Sequence, residues 1–250
     1  MLQDRPLIGI LGGMGPLATA DFLAQIVRLT DARNDQDHHR CLTYTNPHLP
    51  DRSTAIMGRG ASPLPGLLGG LRLLDGCGVD VIAIPCNTAH FWLDDLRAAT
   101  GTPILSIVDA VASDLRRRGL GSGRIGILGT PGTMKSGVYE RGFAGTHFEP
   151  IALAECDSRL WVEPAIRAVK AGRIDEARPA LERAIERLER AAVSAVVLGC
   201  TELPLAMPDA ASRGGTPLVD STRALAAACV RWAEARAPGA AVQHRHLEAA

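Results

Sequence analysis

The chain has 250 residues, enough for one large or two small domains, and 46% of them are hydrophobic. Its 27 basic residues balance its 27 acidic residues, so the charge gives no reason to expect a nucleic-acid or membrane partner. No apolar run approaches the ~18 residues of a membrane span, and the N-terminus lacks a secretory signal pattern. We therefore expect a cytoplasmic protein with reduced cysteines.

Strand and helix signals alternate through the first half of the chain. Apolar, β-branched runs predict strands, and periodic apolar residues predict helices. The predicted strands are 6–11, 41–45, 79–84 and 102–107, and the predicted helices are 17–33, 67–75, 88–99 and 109–118. Two prolines stiffen a loop at 46–53, which follows the second strand. This alternation predicts parallel βαβ units.

The pattern restarts near residue 124. The sequence IGILG at residues 8–12 recurs at residues 125–129, and each half later reaches an apolar run that ends in a cysteine, Cys86 or Cys200. Further signals predict a helix at 174–188, a strand at 218–220 and a helix at 221–235. The repeat indicates duplication at domain scale and predicts equivalent positions for the two thiols.

These signals predict an α/β fold of two pseudo-symmetric domains, each built on a parallel sheet. We expect residues 1–106 and 216–236 to form the first domain and residues 107–215 to form the second. Residues 237–250 show no periodicity and are expected to form a loose tail.

The two strand-end thiols are the first candidates for chemistry. A cysteine is reactive as the thiolate, and a helix N-terminus lowers the pKa of a thiol below its usual value of ~8.5. Inversion of a stereocentre by proton transfer needs a base on one face of a carbon and an acid on the other, so paired thiols favour this chemistry over single-thiol nucleophilic catalysis. The other cysteines are interpreted as small buried hydrophobic residues: Cys41, Cys77, Cys156 and Cys229.

The glycine-rich loop after the first strand has two interpretations. Gly13, Gly15 and Ala18 fit the G-x-G-x-x-A fingerprint of dinucleotide-binding loops, but the second strand ends at 42–46 without an acidic residue to hold a ribose. The N–H groups of the loop are suited instead to a smaller anion such as a carboxylate. Arg52 is a candidate for the same kind of partner, because arginine binds carboxylates through two hydrogen bonds.

No metal site is predicted. His38, His39 and Cys41 are too close in sequence for a zinc centre, and no second ligand pair has suitable spacing.

Five motifs together resemble the aspartate/glutamate racemase family, and most closely its cofactor-independent aspartate racemases. The motifs are Gly12–Ala20, Asn46–Arg52, Pro85–His90, Ser136–Glu140 and Gly199–Glu202. The resemblance runs from about residue 7 to residue 233. It implies two α/β domains related by a pseudo-twofold axis, an active site in the cleft between them, no cofactor or metal, and a homodimer.

The resemblance also implies roles for individual residues. Cys86 and Cys200 match the two catalytic cysteines, with Cys200 serving the L-isomer and Cys86 the D-isomer. Residues that match substrate-binding or cleft-lining positions are Asn87, Thr88 and Thr201 for the α-carboxylate, Arg52 and Lys170 for substrate carboxylates, and Met14 and the loop from Thr130 to Thr133 along the cleft. Broad-specificity relatives lack the Pro-Asp-Arg loop, so its presence here favours an acidic substrate.

The sequence therefore predicts a racemase that interconverts L- and D-aspartate by two-cysteine proton transfer. Alternatives within enzymes are a glutamate racemase, a broad-specificity amino-acid racemase, a hydantoin racemase and a maleate isomerase. Outside this group, a two-domain protein that only binds a small molecule and a nicotinamide-dependent enzyme stay open.

Overall fold

The computed structural model describes residues 5–208, 212–213 and 215–237, and it contains two sheets. The strands are β1 (Leu7–Gly12), β2 (Arg40–Thr45), β3 (Val81–Ala83), β4 (Ile104–Leu105), β5 (Gly123–Leu128), β6 (Phe148–Ala152), β7 (Ala195–Leu198), β8 (Ser212–Arg213) and β9 (Thr216–Asp220). The sheet orders are β2-β1-β3-β4 and β6-β5-β7-β9-β8. All strand pairs are parallel except β8 with β9.

The two sheets have the same strand order when the short edge strand β8 is set aside. The strands β1, β2, β3 and β4 correspond to β5, β6, β7 and β9. This correspondence confirms the predicted α/β fold with two pseudo-symmetric parallel-sheet domains. It also places β3 and β7, which precede the two cysteines, at equivalent positions.

Eleven α-helices connect and cover the strands in the described ranges. They are α1 (Pro16–Leu29), α2 (Arg52–Ile56), α3 (Leu64–Gly76), α4 (Leu93–Ala98), α5 (Ile107–Arg117), α6 (Pro131–Ser136), α7 (Val138–Gly142), α8 (Glu155–Asp157), α9 (Glu163–Lys170), α10 (Ile174–Glu189) and α11 (Ser221–Glu234). A π-helical turn at Ser158–Val162 joins α8 to α9. No helix among the described residues is long and apolar enough to cross a bilayer.

The core has three layers because side chains alternate across each sheet. Ile8 and Ile10 of β1 and Ile125 and Ile127 of β5 face a shared central cluster, together with α1, α5, α7 and α11. Leu11 faces a separate outer cluster with α3 and α4, and the outer face of the second sheet packs against α9 and α10. The two halves therefore share their central hydrophobic layer.

Residues 216–236, which the predicted division assigns to the first domain, contact both halves. Their strand β9 pairs in parallel with β7 of the second sheet, with Val196 opposite Leu218. Its helix α11 packs against α1 and α5 in the central layer. The strand belongs to the second sheet because it is the counterpart of β4. Except for its first residue, the tail expected at 237–250 lies outside the described residues.

The segments that follow the two cysteines are short 3₁₀ turns. A helix predicted at 88–99 begins as a 3₁₀ turn over Thr88–Trp92 and becomes α-helical only in α4. The corresponding segment after Cys200 is the 3₁₀ turn Leu203–Ala206, and Pro204 occupies its first turn. Neither thiol therefore lies at the N-terminus of a long α-helix.

Candidate active site

Cys86 and Cys200 border the same cavity, of about 20 Å³, beyond the carboxyl ends of β3 and β7. Seven other residues that the sequence predicted line it: Met14, Arg52, Asn87, Thr88, Thr130, Lys170 and Thr201. Three lining residues were not predicted as site residues: Asp51, Ser53 and Glu202. Thr133 is the one predicted residue that the structure places behind the cavity wall.

Hydrogen bonds link each cysteine loop to the segment that precedes the other cysteine, directly in one direction and through Ser221 in the other. The Thr201 hydroxyl, next to Cys200, donates to the Pro85 carbonyl at 3.3 Å. In the opposite direction, the Asn87 amide donates to the Ser221 hydroxyl at 3.0 Å, and that hydroxyl donates to the Leu198 carbonyl at 2.7 Å. These reciprocal bonds fix the positions of the two thiols relative to one another.

Both ends of the Asn87 side chain have partners inside the protein. Its amide nitrogen bonds Ser221, and its oxygen accepts a hydrogen bond from the Tyr139 hydroxyl at 2.7 Å. The sequence predicts that Asn87 holds a substrate carboxylate. These bonds hold the loop that carries Cys86, and the amide nitrogen keeps a second N–H at the cavity that Asn87 lines.

Three threonine hydroxyls form a closed triangle beside the cavity. Thr88 Oγ1 lies 2.9 Å from the hydroxyls of both Thr130 and Thr133, which are 3.0 Å from each other. The Thr133 N–H also donates to Thr130 Oγ1, which caps α6. Thr133 thus orients the two threonines that line the cavity.

Arg52 presents a buried hydrogen-bond donor without a partner. Its side chain is 8% exposed, and Nη1 donates to the carbonyls of Leu49 and Pro50 at 3.2 and 3.0 Å. Its Nε has no hydrogen-bond partner among the described residues. An unsatisfied buried donor is costly, so this group is suited to a ligand that accepts hydrogen bonds, and a carboxylate is the best match.

Glu202 is the functional candidate that the sequence reasoning missed. Its carboxylate is buried and accepts hydrogen bonds from the Gly15 N–H at 3.1 Å and from Cys200 Sγ at 3.0 Å. Lys170 Nζ lies 4.0 Å from Glu202 Oε1. Glu202 therefore links the glycine-rich loop of the first half to one thiol of the second half.

The pKa of Cys200 differs from the expectation for a helix-terminal thiol. Burial and the neighbouring Glu202 carboxylate raise it well above its usual value, and the attraction of Lys170 only partly offsets them. The short 3₁₀ turn after Cys200 has too few aligned peptide dipoles to compensate. Cys200 therefore carries its proton in the site described here.

The glycine-rich loop uses its N–H groups internally. The Gly13 N–H donates to Thr19 Oγ1 at 2.9 Å, and the Gly15 N–H donates to Glu202. Gly13 has a φ of +97°, and a side chain there would meet the backbone of Asn46. The loop is thus built to approach the end of β2 and to bond Glu202, an arrangement that disfavours the dinucleotide interpretation.

Two further cavities lie near the site. One of about 200 Å³ adjoins it and shares Arg52, Lys170 and Glu202 with it. A larger cavity of about 590 Å³ lies between α2 and the ends of β5 and β6, but neither cysteine lines it. Among residues 5–208, 212–213 and 215–237, no group of three or more His, Cys, Asp or Glu side chains is arranged to hold a metal ion.

His90 supports the Cys86 loop and does not act as its base. Its Nδ1 donates to the Cys86 carbonyl and its Nε2 accepts from the Ile107 N–H, both at 2.9 Å. Burial lowers the pKa of His90 to about 4. Both ring nitrogens are therefore used in joining the loop to the start of α5, and the ring is neutral at neutral pH.

This burial predicts a pH-dependent stability. Between pH ~6.5 and pH ~4 the unfolded chain protonates His90 while the folded protein does not, so the folded state loses about 3 kcal/mol as the pH falls. His90→Asn, which keeps a donor but cannot titrate, should lack this part of the acid destabilisation. Burial also raises the pKa of Asp220 to about 6, so its protonation stabilises the folded state as the pH falls. This effect is the same in the unchanged protein and in His90→Asn. Urea unfolding at pH 7.5 and 4.5 measures the difference, and an identical pH dependence in both proteins would contradict it.

The chain is similar to several known racemases. The chain is 27% identical over 230 residues to the broad specificity amino-acid racemase RacX of Bacillus subtilis, covering 90% of this chain and 96% of RacX. It is 34% identical over 132 residues to the glutamate racemase of Corynebacterium diphtheriae, covering 51% of this chain and 47% of that protein. The structure of Picrophilus torridus aspartate racemase superimposes with a TM-score of 0.80 at 32% identity, covering 91% of this chain and 94% of that one.

A sequence model of one family extends over most of the chain. The model described as Asp/Glu/Hydantoin racemase matches residues 11–229, a range that contains both strand-end cysteines and the whole of the cavity that they border. The family includes isomerases that act on small amino-acid substrates. The chain belongs to the Asp/Glu/Hydantoin racemase family.

Proposed function

We propose that the protein interconverts L- and D-aspartate by proton transfer at the α-carbon, without a cofactor or a metal. The observation that carries this proposal is the pair of thiols at equivalent strand ends, both bordering one cavity. A thiolate on one side removes the α-proton, and the thiol on the other side returns a proton to the opposite face. A glutamate racemase or a broad-specificity racemase would differ from this proposal in its substrate.

The groups around the cavity are suited to stabilise charge during proton removal. The hydroxyls of three threonines line the cavity, and two cationic side chains line it as well. The threonines are Thr88, Thr130 and Thr201, and the cations are Lys170 and Arg52. Donors directed at a developing carboxylate or enolate charge act strongly in a site that excludes water. We assign the α-carboxylate to Asn87, Thr88 and Thr201, which line the cavity together, and the Asn87 amide keeps one N–H beyond the one that bonds Ser221.

An acidic substrate is proposed because Arg52 lines a small, buried site and has a donor without a partner, whereas the second cation, Lys170, lies beside Glu202. Arg52 has a buried Nε without a partner, and Lys170, at the end of α9, lines the same cavity. A neutral amino acid would leave the Arg52 donor without a partner, whereas the side-chain carboxylate of aspartate satisfies it. The aspartate racemase of Picrophilus torridus supports the same substrate.

Substrate binding requires this site to widen. A cavity of about 20 Å³ holds about one water molecule, which is far less than an amino acid needs. The bond between Glu202 and the Gly15 N–H joins the two halves across the cavity, so we propose that this contact separates when the substrate enters. The adjoining cavity, which shares Arg52 and Lys170, is the proposed route of entry.

Four alternatives are considered alongside the proposal. Glutamate or broad-specificity racemisation is supported by the relatives from Corynebacterium diphtheriae and Bacillus subtilis. A protein that only binds a ligand has no use for two duplicated thiols at one cavity. A nicotinamide-dependent reaction is disfavoured by the internal bonds of the glycine-rich loop.

A screen of single enantiomers tests the proposal. Each amino acid is incubated with the dialysed protein without added cofactor, with and without EDTA, and is analysed by chiral chromatography. We expect L- and D-aspartate to reach an equal mixture from either side, with EDTA having no effect. Equal rates on neutral amino acids would favour the broad-specificity alternative, and no conversion of any amino acid would reject racemisation. Light scattering on the same sample tests the homodimer that the family resemblance implies.

A further inference from the structure

The two thiols differ in the residue that lies two positions further along the chain. Cys200 is followed at this distance by Glu202, whose Oε2 accepts a hydrogen bond from the sulfur at 3.0 Å. Cys86 is followed by Thr88, whose hydroxyl bonds the hydroxyls of other threonines. The pseudo-symmetry of the site is therefore broken by one carboxylate.

Burial alone does not distinguish the thiols, because Cys86 and Cys200 are each 5% exposed. Glu202 is 3% exposed, so it interacts with Cys200 in an environment that screens charge poorly. Two negative charges at hydrogen-bond distance repel strongly in such an environment. The Glu202 carboxylate therefore opposes ionisation of the Cys200 thiol when the cavity is empty.

The other charged and titratable groups near Cys200 and Glu202 do not cancel the increase in the pKa of Cys200. Lys170 from α9 lies 4.0 Å from Glu202 and favours anions, while Asp51 and Arg52 at the start of α2 line the same cavity with opposite charges. Tyr139 of α7, also close to Cys200, is neutral because burial raises its pKa far above its usual value. At Cys200, the increase in pKa caused by burial and Glu202 is larger than the decrease caused by Lys170.

We propose that Glu202 is a positioning residue that keeps the proton on Cys200 in the empty site and leaves Cys86 as the thiol that acts as the base. This inference rests on the proposed two-thiol reaction and explains how two equivalent thiols take opposite roles. The enzyme at rest is then prepared for the enantiomer whose α-proton faces Cys86. After one inversion Cys86 holds the proton taken from the substrate and Cys200 is the thiolate. Cys86 then releases its proton to water and Cys200 takes one from water, and Glu202 favours this second transfer.

The asymmetry must be measured on the thiols themselves. L- and D-aspartate have equal free energies, so kcat/KM is the same in both directions whatever Glu202 does. The alkylation rate of each cysteine follows its thiolate fraction, and it needs no substrate. Iodoacetamide is a suitable reagent because it is small and uncharged.

The first test uses the unchanged protein. Alkylation by iodoacetamide is followed from pH 6 to pH 10, and mass spectrometry of the peptides that contain Cys86 and Cys200 gives one rate profile for each. We expect the midpoint for Cys86 to lie at least about one pH unit below that for Cys200. Coincident midpoints, or a lower midpoint for Cys200, would overturn the proposal.

The second test removes the charge of Glu202. In a Cys86→Ser background, Glu202→Gln keeps the acceptor for the Gly15 N–H and can donate to a Cys200 thiolate. We expect the Cys200 midpoint to fall by at least about one pH unit, which is a tenfold faster alkylation at a fixed pH below both midpoints. Glu163→Gln, which removes a carboxylate of α9 that pairs with Arg167, should leave it unchanged.

An unchanged Cys200 midpoint in folded Glu202→Gln protein would reject the role of Glu202. The circular dichroism spectrum checks that the variant is folded, and the test on the unchanged protein decides the question if it is not. Neither measurement involves an amino acid. A failure of this inference is therefore distinguishable from a failure of the racemase proposal, which the single-enantiomer screen tests.

Discussion

Net racemisation of aspartate is expected to fall by at least about 10³-fold when either Cys86 or Cys200 is replaced by alanine. Each variant lacks the base for one enantiomer and the acid for the other, because the two thiols border the cavity from opposite halves of the protein. Chiral chromatography from both enantiomers measures the loss. The loss of racemisation should be of similar size in both variants, because each direction of the reaction needs both thiols.

The control for these variants is Cys229→Ala, because Cys229 is also buried but lies on α11 in the central hydrophobic layer. This variant should retain the activity of the unchanged protein. Full activity of Cys86→Ala or Cys200→Ala would exclude the two-thiol reaction, whereas a loss in only one of them would indicate nucleophilic catalysis by a single cysteine.

The second large effect is expected at Arg52. Arg52→Gln should lower kcat/KM for aspartate by about 10²–10³-fold, because losing one partner of a buried charge pair costs about 2–5 kcal/mol. Any residual activity on alanine, which has no side-chain carboxylate, should fall much less. The ratio of kcat/KM values for the two substrates is the measurement, since it cancels general effects on the loop that Arg52 supports through Leu49 and Pro50.

Arg59→Gln is the matched control, because Arg59 is an exposed arginine close to α2 that does not line the small cavity. It should leave both rates unchanged. If Arg52→Gln lowers kcat/KM for aspartate and for alanine by the same factor, then Arg52 acts only through the fold. The assignment of an acidic substrate would then lose its main support.

The strand-end cysteines and the duplicated sheets were predictable because they depend on local patterns. The IGILG repeat and the apolar runs before Cys86 and Cys200 are short, periodic signals that survive without tertiary information. The sequence also contains a signal that the domain prediction did not use. Residues 102–106 (TPILS) correspond to residues 216–220 (TPLVD), at the same separation from the preceding cysteine, and this match identifies β9 as the counterpart of β4.

The role of Glu202 was not predictable in the same way. A glutamate beside a proline-containing turn is usually exposed, and its burial here depends on Gly15, which is 187 residues away in sequence. The raised pKa of Cys200 has the same origin, since burial is a property of the assembled halves. Likewise, the sequence indicated Arg52 as a carboxylate ligand, but only the structure shows that its Nε is buried without a partner.

The central claim is that the two thiols act on opposite faces of one α-carbon. The most direct test is exchange of the α-proton in D₂O, followed by NMR for each enantiomer separately. Cys200→Ala, which keeps Cys86, should exchange the α-proton of D-aspartate without inverting it and leave L-aspartate unlabelled. Cys86→Ala should exchange only L-aspartate, and more slowly than Cys200→Ala exchanges D-aspartate, because Glu202 opposes ionisation of Cys200. Exchange of both enantiomers by either variant, or inversion by either, would contradict the account.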